Sequence, residues 1–470
     1  MNKMIEGLDL ARELESLLNG VGLSSSDTGG AIVFEGADPL MNSKFPMGSI
    51  AALGRMAPCA AAAALWKLRT GRGQDLRVHL GQVVHEFMPM PTLNGVAAND
   101  FNLNDGHFNA YNQNFAPTRD GRRISMASVY APGRDALIEV LRAPPNRPDE
   151  VLKAIKQWDA LELEEVATAK GAILTMVRSE EEWLAHPHGA AMAQRPVVEI
   201  ERIGDTPPEP LGPGTRPLSG IRAVGTARML AGTATAQTLA EHGAEVLNLW
   251  RPEDYEIIQA YLKGHRGVGS AMVRDNTPEG QAIMRRLIEG ADIVYENRRD
   301  GTAKRRGLDF ESCAKIRPGI IHVSVRCYGH YGPWSDQAGF DPQALSATGA
   351  AASEGTLADP SYPPTRIVND WMAPWFACLG AMAALHRRAR EGGSYRVRVS
   401  LARSTMWWLG LPRMSRKPTA PLPEAAYYEV DTPMGRFRTP HCQVRFSETQ
   451  PHFETPLVPW GSSQPVWRPR

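Results

Sequence analysis

From residue 221 onward, short apolar runs alternate with stretches of helical period, and this alternation constrains the fold more than any other feature of the chain. Strands are expected at 221–225, 244–250, 293–295 and 320–325, and helices at 234–242 and 278–290. Strands separated by helices pair in parallel through crossovers and bury both faces of the sheet. The pattern therefore predicts an α/β fold with a doubly wound, mostly parallel sheet. Ligands of such sheets sit beyond the carboxyl ends of the strands. The first loop of that kind is GTARMLAGTAT at 225–235, which lacks the G-x-G-x-x-G of a dinucleotide fingerprint. Ala231 and Gly232 leave room for a ligand at the helix start, and they suit a plain tight turn equally well.

Upstream the pattern differs. A Pro/Gly-rich run, GDTPPEPLGPGTRP at 204–217, sets a boundary near residue 210. Residues 1–30 read as an amphipathic helix and a flexible Gly/Ser patch. Residues 31–210 hold an Ala-rich helix at 57–68, a TGRGQ break and an alternating strand at 75–80. They continue with short strands around Asp120-Gly121, the helix ALIEVLRA, and helices at 150–170 and 179–192, which together suggest a smaller α+β domain. Residues 211–470 form the large domain and a C-terminal tail. Helix, glycine turn and V-x-L strand recur in that order at 381–401, a weak internal repeat.

Within 339–401, Asp370 separates a polar, Pro-containing loop from a helix of small and apolar residues. Pro374 suits a first helical turn, where a missing N–H has no partner to lose. A carboxylate at that place faces unpaired N–H groups and the positive end of the helix dipole. A simple N-cap and a reactive acid both satisfy the position.

Lys plus Arg (52) and Asp plus Glu (51) nearly cancel, so no general attraction for nucleic acid or anionic membrane is expected. The N-terminus is charged and amphipathic, and the longest apolar run, 57–66, is short for a membrane span, so a soluble cytoplasmic protein is expected. Cys59, Cys313, Cys327, Cys378 and Cys442 form no C-x-x-C pair, and neither a disulfide frame nor a metal cage is suggested.

Four blocks carry a family resemblance. PLSGIRAVGTARMLAGTATAQTLAEHGAEVLNLW, ADIVYENRRDGTAKRRGLDF, VRCYGHYGPWSDQAGFDPQALSATG and IVNDWMAPWFACLGAMAALHRRAREGGSYRVRVSLARS resemble, in order, the family III CoA-transferases. That family includes formyl-CoA and carnitine-CoA transferases and the α-methylacyl-CoA racemases. AALWKLRTGRGQDLRVHL, TRDGRRISMASVY and EEWLAHPHGAAMAQRP, all upstream, are similar to later parts of the same family. The chain thus reads as a truncated copy followed by a more complete large-domain copy.

The resemblance implies an enzyme that moves CoA between an acyl-CoA thioester and a carboxylic acid, with Asp370 as the nucleophile that forms an aspartyl-acyl anhydride. CoA thioester is then a substrate, with no permanently bound cofactor. CoA contacts are implied at Ala231, Gly232, Arg251, Arg266, Arg298 and Arg305. A homodimer is implied, interlocked as in the family, or a single chain imitating part of one. Aligning VHL at 78–80 with VSL at 399–401 sets Ser49 or a neighbour opposite Asp370, so the first copy is expected to act as scaffold.

Some residues depart from the family pattern. Phe340 stands in Ala338-Gly339-Phe340-Asp341 where racemases carry His, which ranks racemase below transferase, and His330 reads as a solvent-exposed loop residue. Where relatives carry a basic N-R-G-K-R-S segment that holds CoA phosphates, this chain reads His265-Arg266-Gly267-Val268-Gly269-Ser270, keeping one Arg and losing the Lys-Arg pair. E-N-F-R-P-G has become Glu296-Asn297-Arg298-Arg299-Asp300-Gly301, Trp250 replaces an acid, and Pro374 replaces a glycine. A catalytically silent scaffold or subunit is therefore the alternative.

Overall fold

The computed structural model describes residues 8–87, 97–98, 101–102, 111, 114–415, 417–418 and 420–469. Residues 1–7 of the expected N-terminal helix, and 110, 112 and 113 of the expected short strands, lie outside the described residues.

The fold is mixed α/β around a seven-stranded, mostly parallel sheet. Its spatial order is Gly269–Met272, Glu245–Trp250, Arg222–Gly225, Ile293–Glu296, Ile321–Arg326, Ser394–Ser400 and Val198–Ile203. The first six strands are parallel, and Val198–Ile203 joins the edge antiparallel to Ser394–Ser400. Counted along the chain, the six parallel strands lie in the order third, second, first, fourth, fifth, sixth. The order therefore reverses beside Arg222–Gly225, where the loops after it and after Ile293–Glu296 diverge and leave a crevice.

Alternation along the strands feeds two apolar layers. Ala223, Ile293 and Val323 belong to the core shared with the helices Met229–Glu241 and Asn369–Glu391. Val224 and Val294 belong to a separate cluster with Met284, Leu287, Phe310 and Cys313, from the helices Pro278–Glu289 and Phe310–Ile316. Strands buried on both faces carry apolar residues almost continuously, as these do.

The first core extends into the N-terminal half. Met47–Thr70 forms a helix whose residues from Met47 to Trp66 are all buried, and it packs on Asn369–Glu391. The contact is close at Gly54, where an added Cβ would lie 2.3 Å from Met372 Sδ and 3.1 Å from Trp375 Cε3. By length and composition this helix is apolar enough to cross a membrane, a property that the 57–66 run understated. In the fold it is a core element, and its buried Arg55 pairs with Glu86 at 2.9 Å and with Glu241. Leu76–His79 follows it, paired in parallel with Ile32–Glu35 and antiparallel with Val444–Phe446.

The smaller α+β unit has a three-stranded antiparallel sheet, Ala116–Pro117, Arg123–Ala127 and Ile173–Met176, under the helices Ala131–Leu141, Pro148–Ile155 and Ala160–Ala169. Ile124, Met126, Leu137, Val151, Leu163 and Leu174 are part of its own core. Side chains tie it to the large sheet: Ser125 Oγ lies 3.0 Å from Tyr362 Oη, and Thr175 Oγ1 lies 2.8 Å from Tyr328 Oη.

Several elements differ from expectation. Gly269–Met272, sequence GSAM, has no β-branched residue and was not expected as a strand. The helix expected from 234 begins at Met229. The 150–170 and 179–192 stretches each divide into two short helices, the second break falling at Pro187.

Candidate active site

Asp370 is the second residue of the Asn369–Glu391 helix. Pro374 therefore falls in the second turn, not the first. Its missing N–H would have bonded the carbonyl of residue 370, four positions back, so the helix gives up that bond at Asp370. Asp370 does not cap the helix either, in contrast to the simple N-cap reading. The cap is Asp341: its Oδ2 accepts from the backbone N–H groups of Val368 (2.6 Å), Asn369 (2.7 Å) and Asp370 (3.1 Å). Its Oδ1 accepts from Asn369 Nδ2 at 2.6 Å, and Trp408 Nε1 donates to Asn369 Oδ1 at 3.1 Å, which fixes that amide's orientation.

With capping done by Asp341, the Asp370 carboxylate makes no hydrogen bond or ion pair among the described residues. It opens instead into a cavity of about 270 Å³. Burial and the negative charge of Asp341 raise its pKa well above the ordinary carboxylate value. Burial pushes Asp341 up as well, to about 6, against the pull of its four donors. The two carboxyls titrate as a pair, and Asp341, the better solvated by hydrogen bonds, ionises first.

The cavity lies at the crevice where the strand order reverses. Its wall includes Arg228, Met229 and Ala231 from the loop and helix after Arg222–Gly225, and Asn297, Arg298 and Arg299 from the loop after Ile293–Glu296. Two asparagines clamp these loops. Asn248 exchanges two hydrogen bonds with the Ala227 backbone (3.0 and 3.1 Å), and Asn297 does the same with Arg228 (3.0 and 2.7 Å). Tyr130 and Ile173, from the smaller α+β unit, close the cavity opposite. Its wall thus combines residues from both halves of the chain.

Of the residues expected at the site, Asp370, Ala231 and Arg298 share this cavity. Gly232 lies just behind it, where a Cβ would come 2.7 Å from both Ala227 Cβ and Asn297 Cγ; the glycine serves close helix-to-loop packing. Arg251 pairs with Asp275 away from the cavity lining, and Arg305 is exposed with Thr302 Oγ1 as its partner at 3.1 Å. Arg266 is buried elsewhere, donating to Gln237 Oε1 and the Pro440 carbonyl with its guanidinium 5.2 Å from the Phe453 ring. Phe340 lines the cavity, and no histidine does among the described residues. His330 is half-buried, contrary to the exposed reading, and belongs to neighbouring crevices. Arg228, Tyr130 and Asp341 were not singled out from the sequence. Arg228 could have been, from its place in the 225–235 loop; Tyr130 arrives only through tertiary packing.

The first copy repeats the cap with Ser49, not a second carboxyl, beside it. Asp38 accepts from the backbone N–H groups of Gly48 (3.0 Å) and Ser49 (2.7 Å) at the start of the Met47–Thr70 helix. Ser49 Oγ also donates to Asp38 at 2.7 Å, so its hydroxyl is consumed by the capping carboxylate.

The site thus sets an unbonded carboxyl at a helix start over an arginine-lined crevice at the carboxyl ends of a mostly parallel sheet, in an α/β protein. The profile of CoA-transferase family III matches residues 19–208 and 218–439, and the chain belongs to that family. Succinyl-CoA–D-citramalate CoA-transferase of Chloroflexus aurantiacus is 36% identical over 192 residues, covering 38% of this chain and 47% of the relative. Succinate–glutarate CoA-transferase of Agrobacterium fabrum is 34% identical over 207 residues, 39% of this chain and 51% of the relative. The chain spans about half the length of the curated relatives it matches. Among solved structures, a CaiB/BaiF family protein from Brucella suis matches 47% of this chain and 65% of its own at 24% identity, with a TM-score of 0.37. Rv3272 from Mycobacterium tuberculosis matches 41% and 56% at 25% identity, also at 0.37.

Proposed function

We propose that this protein is a CoA-transferase that moves CoA between an acyl-CoA thioester and a carboxylic acid through a covalent intermediate on Asp370. One observation carries the reading: the Asp370 carboxyl is relieved of capping by Asp341 and opens, unbonded, into the crevice of the sheet. We read that sheet as doubly wound and the protein as cytoplasmic, with CoA thioester as substrate and no resident cofactor.

In this scheme the ionised Asp370 oxygen attacks the thioester carbonyl, the C–S bond breaks, and CoA thiolate leaves an aspartyl-acyl anhydride. The thiolate then attacks the aspartyl carbonyl, releasing the first acid and leaving an aspartyl-CoA thioester. A second carboxylate attacks that thioester, expels the thiolate and forms a new anhydride. The thiolate's attack on the new acyl carbonyl gives acyl-CoA and restores Asp370. The raised pKa makes the carboxylate a stronger nucleophile once ionised, so the rate should rise with pH through that pKa. Tyr130, Phe340 and Ile173 wall the cavity and limit water, which would hydrolyse the anhydride.

Ala231 and Gly232 stand where the thioester would meet the helix start, and Arg251 and Arg305 lie outside the cavity, where the CoA phosphates would extend. We place the site within one chain, because its walls come from both halves; a homodimer remains part of the reading. Incubation with acyl-CoA and hydroxylamine should convert Asp370 to a hydroxamate, seen as a mass change on its peptide. Exchange of the substrate's α-proton with deuterated solvent, without trapping, would instead mark a racemase. The burial of Arg266 favours a second reading, a silent scaffold, which calorimetry would support by finding no CoA binding.

A further inference from the structure

The Asn369 side chain stands between Trp408 and Asp341 and bonds to both. Trp408 Nε1 donates to Asn369 Oδ1 at 3.1 Å, and Asn369 Nδ2 donates to Asp341 Oδ1 at 2.6 Å. An indole N–H can only donate, and an ionised carboxylate can only accept. The amide therefore satisfies both neighbours in one orientation, and that orientation requires Asp341 to accept. Turned over, its oxygen would face Asp341 and find a donor there only if the acid were protonated. The two faces of one amide thus correspond to the two protonation states of Asp341. Burial raises the Asp341 pKa, and the Asn369 bond is the largest of the pulls that oppose it.

Trp408 lies in the helix Leu401–Leu409, which follows the Ser394–Ser400 strand. Its side chain is fully buried and meets the Phe45 ring edge-on, with ring centroids 4.8 Å apart. Phe45 comes from the first copy, just ahead of the Met47–Thr70 helix, and is itself held in place. The Arg413 guanidinium, paired with Glu180 at 2.6 Å, lies 4.5 Å from that ring, and the Phe45 N–H donates to Ser43 Oγ at 3.0 Å. The first copy, expected to act as scaffold, thereby reaches the side chains around Asp370.

We propose that Trp408, braced by Phe45, is a positioning residue for Asp370: by fixing the Asn369 amide it keeps Asp341 the charged member of the pair and leaves the proton on Asp370. That Asp370 is a nucleophile rests on the transferase reading; the ordering of the two carboxyls does not. The other titratable groups near the pair are Cys327 and Tyr362, both kept protonated by burial. Arg228, Arg298, Arg299 and Arg326 line the cavity, and none pairs with Asp370 among the described residues. Without the indole N–H, Asp341 loses part of what favours its charge. Asp370 then ionises beside a neutral neighbour, at lower pH.

The test is a pH titration of the whole protein followed by infrared difference spectroscopy, which sees the C=O stretch of protonated carboxyls; the band lost in Asp370→Asn belongs to Asp370. In Trp408→Phe the Asp370 midpoint is expected to fall by about half a pH unit or more, the scale of a hydrogen bond to a charged group. Phe45→Leu should move it the same way by less. In an Asp341→Ala background Trp408→Phe should add no shift, because it acts through Asp341. An unchanged midpoint in Trp408→Phe, or an equal shift in the Asp341→Ala background, would overturn the inference. Should Trp408→Phe not fold, an unchanged midpoint in Phe45→Leu overturns it instead. If the midpoint moves as expected but no Asp370 hydroxamate forms, the positioning stands and the transferase reading falls. A hydroxamate without the shift removes the positioning alone.

Discussion

Replacing Asp341 by alanine tests the division of labour at the head of the Asn369–Glu391 helix. The variant removes one acceptor from four donors, the N–H groups of Val368, Asn369 and Asp370 and the Asn369 amide, in a fully buried place. An unsatisfied buried donor costs about 1–3 kcal/mol and a lost N-cap about 0.5–2 kcal/mol. Water entering the vacated volume satisfies some donors, and relief from burying a carboxylate offsets part of the rest. The net loss expected is about 2–4 kcal/mol at neutral pH. The sign of its pH dependence follows from the raised pKa. Asp341 ionises at about 6 in the fold against 3.8 ordinarily, so its contribution is full below pH 3.8 and declines as pH rises through 6. The gap between wild type and variant should therefore narrow from pH 4 to pH 7. Asp370, freed of a negative neighbour, should ionise at lower pH, so hydroxamate trapping should begin earlier in a pH series. Urea unfolding at several pH values measures the first effect and trapping the second. A gap that widens with pH would refute the raised pKa of Asp341, and a trapping profile identical to wild type would refute its charge effect on Asp370.

Asp370→Asn should abolish trapping and raise Tm by about 1–3 °C near pH 8, because the wild-type fold disfavours the charge that this carboxyl carries in the unfolded chain. An unchanged or lower Tm would count against that strain. Arg55→Ala leaves buried Glu241 and half-buried Glu86 without their shared cation, and chemical unfolding should show a loss of about 3–5 kcal/mol. Lys263 is buried 5.4 Å from the Trp371 ring and is pushed down to about 7, chiefly by burial. The fold then binds fewer protons than the unfolded chain between about pH 7 and 10.5, so wild-type stability should gain with pH in that window. Lys263→Met should lose that component of the slope, as read from denaturation midpoints.

How the chain folds and where its chemistry lies were readable to different depths. The parallel α/β sheet was legible because buried strands and crossover helices each print a short-range period. The position of Asp370 was legible because a break from polar loop to small-residue helix is equally local. Gly269–Met272 was not, since its place at the sheet edge is set by pairing with Glu245–Trp250 and not by a β propensity of its own. Nor was the role of Asp341, twenty-nine residues before Asp370, which caps the helix only because the loop between them folds back.

The sequence by itself determined the ingredients: one acid in front of a helix, an arginine-rich loop after the fourth parallel strand, and a helix-strand repeat whose first copy has serine at the corresponding place. Tertiary structure alone decided that Asp341 takes the capping bonds, that Arg266 faces the core, and that Tyr130 crosses from the smaller unit to the cavity. The reason is physical. Periodicity and propensity act over a few residues, whereas which carboxyl is solvated and which cation is left unpaired depends on contacts between segments hundreds of residues apart.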